Sequence, residues 1–258
     1  MLILLPPSET KTRPTDAGAG PLELEALGLP QLTEARSAVV RAARRTAAGK
    51  DGAAKLGVPV SSPELVERMA QIDSEPTAVA LSVYSGVLYD QLDPARSLPA
   101  DRRVLVQSAL LGLIDAGSDR IPAYRLSAGS TLSRLGKAGS WWASRLKPVA
   151  AQLRRAQAET GAPVIVDCRS GSYRSMMVVR SGDGVRVLDV SPVQERSGTR
   201  KVISHDAKRY RGLVTRALLE AGRTPASADE VVDIVRAALP TLHVELEGDR
   251  LVVVDQVG

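Results

Sequence analysis

The sequence predicts an α/β (α+β) protein, a single domain in which helices surround a mixed central β-sheet. Three observations predict it. Short apolar runs at residues 1–5, 103–111 and 163–168 are the right length for buried strands. Segments with helical periodicity stand between and after them. A chain of 258 residues with 44% hydrophobic content, 3% aromatics and no Phe must build an aliphatic core. A chain of that size can bury about three-quarters of its unfolded surface in one domain without staples.

The elements follow in order. Residues 1–5 form a first buried strand stopped by Pro6 and Pro7, and the Thr-, Pro-, Gly- and Ala-rich stretch 8–30 reads as a long loop. The apolar run at the N-terminus is too short for a membrane span or a signal sequence, so a cytoplasmic protein with no membrane partner is expected. Helices are expected at 33–48 and 63–72, separated by a turn at 49–52, and a third at 77–91. Residues 103–111 read as a strand punctuated by Gly112, and 124–126 as another short one. A long helix is expected over about 130–158, interrupted near Pro148. The strand at 163–168 is followed by a strand pair, 175–179 and 185–190, turning at 181–184. Helices at 204–221 and 227–238 and a closing hairpin at 243–257 complete the chain.

Charge is unevenly distributed. Residues 120–216 carry 19 Lys and Arg against 6 Asp and Glu, a net of +13, while the remainder nets −8. A localised positive field attracts phosphates, although a solvated basic surface has the same composition. One cysteine, Cys168, excludes an internal disulfide, and with only His205 and His243 there is no zinc set. No metal and no cofactor is expected, and Cys168 should be buried and inert at its strand end.

The helix from Ser204 carries the clearest pattern. Tyr210, Leu213, Val214, Ala217, Leu218 and Ala221 form one apolar stripe, and Lys208, Arg209, Arg211, Thr215 and Arg216 lie opposite. Gly212 falls on that polar face between Lys208 and Arg216. A mid-helix glycine costs about 1 kcal/mol relative to alanine, which suggests a bare patch where a phosphate could approach the backbone, or else close packing on another element. Ser204 is a candidate N-cap, and His205 a structural or hydrogen-bonding residue rather than a general base. The loop Arg169-Ser170-Gly171-Ser172-Tyr173-Arg174, at a strand's carboxyl end, can present N–H groups and cations to an anion. Ser8-Glu9-Thr10-Lys11 follows the first strand in the same way and lacks the glycines of a P-loop. Tyr124 and Arg125 form a further polar element, and Trp141 and Trp142 are expected to fill a gap between helix and sheet.

Several segments together resemble the YaaA family of peroxide-stress proteins: residues 1–4 with Pro7-Ser8-Glu9-Thr10-Lys11, the stretch 84–89, Pro122-Ala123-Tyr124-Arg125-Leu126, Trp142, Ser170-Gly171-Ser172-Tyr173, and 203–213. The resemblance spans nearly the whole chain, so residues 1–258 are taken as one YaaA-like domain with a basic cleft. It implies a cytoplasmic role in the response to hydrogen peroxide, an association with iron homeostasis that limits damage to DNA, and duplex-DNA binding through that cleft and a helix-hairpin-helix-like element. The candidate for that element lies within about 33–72, at 53–58. Gly112 is followed by Leu113-Ile114 where the family often has Val-Leu-Arg-Pro, and Phe is replaced throughout.

Two functions result. The first is a non-enzymatic, sequence-independent binder of duplex DNA or another polyanion, using Ser8, Lys11, Tyr124, Arg125, Arg169, Ser172, Tyr173, Lys208, Arg211, Gly212 and Arg216. The second is an enzyme or binder of a small anionic ligand, nucleotide- or carboxylate-like, in the same cleft, with Glu9 as candidate general base and Lys11 beside it.

Overall fold

The computed structural model describes residues 1–15, 20–93, 98–203 and 206–256. Ser204 and His205, the expected cap and its neighbour, lie outside the described residues. The strands are β1 (Leu2–Leu5), β2 (Thr77–Val79), β3 (Arg103–Ser108), β4 (Gly112–Asp115), β5 (Arg120–Pro122), β6 (Thr131–Leu132), β7 (Gly136–Lys137), β8 (Val164–Asp167), β9 (Arg186–Arg196), β10 (Thr199–Val202), β11 (His243–Glu247) and β12 (Arg250–Gln256). The helices are α1 (Thr33–Ala47), α2 (Gly52–Leu56), α3 (Glu64–Ala70), α4 (Ala80–Val83), α5 (Ala138–Ala158), α6 (Gly171–Met176), α7 (Ala207–Glu220) and α8 (Ala228–Ala238).

The central sheet runs β11-β12-β9-β8-β1-β3-β4 and is mixed, as expected. Its middle five strands, β12, β9, β8, β1 and β3, are parallel, and β4 and β11 close the two ends antiparallel. β10 pairs with the far end of β9, beyond the reach of β8. Strands buried on both faces read as continuous apolar runs, and β1 and β8 are buried at every position. Leu4 stands between Leu105 and Asp167 in register, so the carboxyl ends of β3, β1 and β8 lie side by side. Ligands of open α/β sheets bind outside such ends.

Four expected elements differ. Residues 77–91 are not one helix: β2 pairs with β5, α4 is a single turn that ends where Tyr84 becomes extended, and Gly86 follows at φ +93°. The strand expected at 124–126 lies just upstream, as β5. Residues 130–137 form the small β6–β7 hairpin, and α5 runs unbroken through Pro148, which is exposed on its solvent face. The strand expected at 175–179 is absent because both edges of β9 are already taken, by β8 and β10 on one side and β12 on the other. The chain forms α6 there instead and buries Met176, while the turn at 181–184 still closes through the Gly182–Val185 bridge.

Trp142 fills the gap between α5 and the sheet, as expected. It is fully buried, donates its indole N–H to the Ala109 carbonyl at 2.8 Å, and lies on Gly112, where a Cβ would stand 2.7 Å from the ring. Gly112 takes φ +76°. Only glycine satisfies both requirements.

Candidate functional site

The chain leaving β1 crosses the top of the sheet as an extended segment laced to residues 83–85. Lys11 bridges Tyr84, the Thr12 N–H donates to the Val83 carbonyl at 2.8 Å, and the Thr10 hydroxyl donates to the Ser85 carbonyl at 3.2 Å. Ser8 accepts the Ser85 N–H at 3.2 Å and donates to the Thr10 carbonyl at 2.5 Å. Two prolines suit this path, since Pro6 and Pro7 fix φ and remove two donors at the point where the sheet ladder ends.

Four of the five tyrosines gather beneath that segment. Tyr84 and Tyr89 stack with ring centres 5.1 Å apart, and Tyr84 meets Tyr124 edge-on at 6.5 Å. The Tyr84 and Tyr124 hydroxyls lie 3.0 Å apart, Tyr124 reaches the Ser108 hydroxyl at 2.8 Å, and Tyr89 donates to the Pro6 carbonyl at 2.6 Å. Burial pushes the Tyr84, Tyr89 and Tyr124 phenols well up and raises that of Tyr173 to about 12. Tyr173 also feels the charges of Glu9 and Arg125, which places it at the rim of the same cluster.

Lys11 enters this cluster. Its amine stands 4.1 Å from the Tyr124 ring centre and 5.2 Å from that of Tyr84, and donates to the Ser8 carbonyl at 2.6 Å. Burial, reinforced by the Arg125 charge, pulls it down to about 7. Arg125 joins three segments: it donates to the Gly57 carbonyl at 3.1 Å and the Glu9 carbonyl at 3.3 Å, and its guanidinium is 3.8 Å from the Glu9 carboxylate. Gly57, at φ +72°, ends α2 within the segment between α1 and α3 proposed as the hairpin element. A cavity of about 320 Å³ opens between segments 6–10 and 85–89, with Lys208 at one side.

Ser8, Glu9, Lys11, Tyr124, Arg125, Tyr173 and Lys208 therefore converge. Arg169 does not join them as a free cation. It is wholly buried, forked onto Asp167 at 2.8 and 2.9 Å and bonded to Gln107. Arg174 pairs with Asp189, and Arg211 is half-buried with its Nε on the Val190 carbonyl at 3.3 Å. Burial lowers the Arg211 guanidinium from its usual range. These groups brace the loop after β8 from below.

Gly212 is a correction. α7 is buried on a second face, where Gly212 and Thr215 pack inward, and a Cβ at Gly212 would overlap the Leu88 carbonyl oxygen and stand 2.8 Å from Gln91. The glycine allows the turn at 89–91 to lie against the helix, so no bare patch is open to a phosphate. Arg216 is exposed two turns beyond Lys208 and does not line the cavity. Cys168 is buried beside Thr215, its thiol pushed up to about 12 by burial.

Ser172 opens onto a different feature. Hollows of about 440 and 390 Å³ share Ala143, Ser175 and Met176 and run between α5 and α6. Lys137, Lys147, Arg154 and Arg180 line them with Ser140, Ser172 and Ser175, and no lining residue among those described is acidic. Sequence reasoning missed this groove because its cations lie on separate elements. The spacing of Lys147 and Arg154 along α5, with Lys137 just before its start, was the available signal. It also missed Tyr84, Tyr89 and Ser108 as site residues; Ser108, at the carboxyl end of a buried strand, was legible.

Among the described residues no three His, Cys, Asp or Glu side chains gather as a metal set, and no helix is long and apolar enough to cross a membrane.

The family model of the peroxide stress protein YaaA matches residues 1–237. The chain belongs to that family. The chain is also similar to UPF0246 proteins: one from Corynebacterium efficiens is 38% identical over 252 residues, covering 95% of both chains. One from Corynebacterium glutamicum is 36% identical over 92% of this chain and 93% of its own. One from Streptomyces coelicolor is 35% identical over 92% and 89%. YaaA membership sets the biological context, peroxide stress, and leaves the molecular act to be argued from the site.

Proposed function

We propose that this YaaA-family protein serves peroxide defence by binding duplex DNA, without sequence preference, along the groove between α5 and α6. The observation that carries this reading is a lining with three cations, Lys137, Lys147 and Arg180, a fourth, Arg154, paired with Asp183, three serine hydroxyls and no carboxylate among the described lining residues. Lys137 to Arg154 spans roughly 25 Å of helix at 1.5 Å per residue, enough to follow about seven phosphates of one strand at 3.4 Å each. Ser172 connects this track to the Tyr173–Arg125 rim of the strand-end site. Shielding DNA from iron-driven oxidation would then need no bound metal. Duplex affinity should fall steeply with salt, with the logarithmic slope near −0.9 per phosphate contacted. Affinity that stays flat between low and moderate salt contradicts the proposal.

A second reading has its own observation. The strand-end cavity, about 320 Å³, is too small for a duplex and suits a small anion, drawn by Lys208 and Arg125 with Glu9 available as a base. Calorimetric titration with carboxylate and nucleotide probes, against a Lys208→Ala control, tests it.

A further inference from the structure

Among the described residues, Lys11 is an amine with no carboxylate in ion-pair contact, held against aromatic faces beyond the carboxyl end of a central strand. Its sequence neighbour Glu9 turns its carboxylate to Arg125, at 3.8 Å. Among the described residues the Lys11 amine has one hydrogen-bond acceptor, the Ser8 carbonyl at 2.6 Å, and two tyrosine faces. Ser8 joins the two features, because it holds the amine and also lines the 320 Å³ cavity. Beside the amine runs a hydroxyl chain from Tyr84 through Tyr124 to Ser108, with links of 3.0 and 2.8 Å. An ordinary surface lysine needs none of this. A lysine partly withdrawn from water against aromatic faces, with a cation as neighbour, is the arrangement that makes the amine a nucleophile.

We propose that Lys11 captures a small carbonyl compound bearing a carboxylate, a 2-oxo acid, as an imine. This deepens the small-anion reading of the strand-end cavity and rests on it. The amine lone pair attacks the carbonyl carbon and forms the C–N bond. The C=O π pair moves to oxygen, which takes a proton, and nitrogen loses one. The carbinolamine then expels its hydroxyl as water as nitrogen loses its second proton, leaving C=N. No oxidant or reductant is consumed. Arg125 and Lys208 attract the carboxylate, and the Tyr84–Tyr124–Ser108 chain can pass the protons. The lowered Lys11 pKa, to about 7, keeps a large fraction of the amine neutral at physiological pH.

The test is reductive trapping of the full chain with glyoxylate and cyanoborohydride, followed by peptide mapping. The adduct is expected on Lys11 well ahead of Lys208 and the exposed lysines, with a rate that rises with pH to about neutrality and then levels. Glycolate, which has a hydroxyl where glyoxylate has its aldehyde, should slow trapping. Lys11→Arg should fold by circular dichroism and lose the adduct; because the wild-type map decides the matter, a misfolded variant does not blunt the test. Adduct spread evenly over exposed lysines, or confined to Lys208, overturns the proposal. If glycolate raises the melting temperature while Lys11 stays clean, the imine fails and the small-anion reading stands. If neither acid has an effect, both fail.

Discussion

Gly212 and Lys11 show how much a single side chain decides in this molecule. A methyl group at Gly212 meets the Leu88 carbonyl and the Gln91 side chain, and overpacking of that kind costs about 1–3 kcal/mol. Gly212→Ala should therefore lower the urea midpoint, even though alanine is the better helix former; an unchanged midpoint would show that the turn at 89–91 gives way freely. For Lys11 the direction of the pH effect is fixed by its shift from 10.5 to about 7. Between those values the unfolded chain holds a proton that the folded one has released, so this residue makes stability rise with pH across that window. Lys11→Met should remove that slope and be most stabilising near and below neutrality. Parallel wild-type and mutant curves from pH 6 to 9 would contradict it.

Whole elements were legible where local pattern and burial agree. β1, β8, α1, α7, α8 and the β11–β12 hairpin match their sequence signals, because each is either apolar throughout or amphipathic at one period. The misread elements are those decided at a distance. Pairing of β2 with β5 and the extended Tyr84 after α4 interrupt a helix that composition favours, and β9 has no free edge left for a strand at 175–179. In the site, the loops after β1 and β8 could be read as functional from their place after buried strands. That Arg169 is spent inside could not, because its partner Gln107 comes from β3, a distant segment that reaches Asp167 on β8 only across β1. Removing one member of a buried pair leaves the other uncompensated at a cost of roughly 3–5 kcal/mol. Arg169→Met should therefore destabilise the fold by that order in denaturant titration, whereas Arg180→Met, at an exposed position, should not.

At the scale of the molecule, the charge surplus of residues 120–216 divides into two uses. Arg125, Arg169, Arg174 and Arg200 are paired with carboxylates and brace the structure. Lys137, Lys147 and Arg180 line the groove between α5 and α6, where Arg154 also sits, tied to Asp183 at 2.7 Å. Composition alone cannot separate these uses, since a paired and an open arginine count alike. The most direct measurement is duplex-DNA affinity across a salt series for the wild type and for Lys137→Gln/Lys147→Gln/Arg180→Gln. The account predicts a steep wild-type slope that the triple variant flattens by nearly three phosphate contacts, at about 0.9 each, with the melting temperature unchanged. Identical slopes for the two proteins would contradict it.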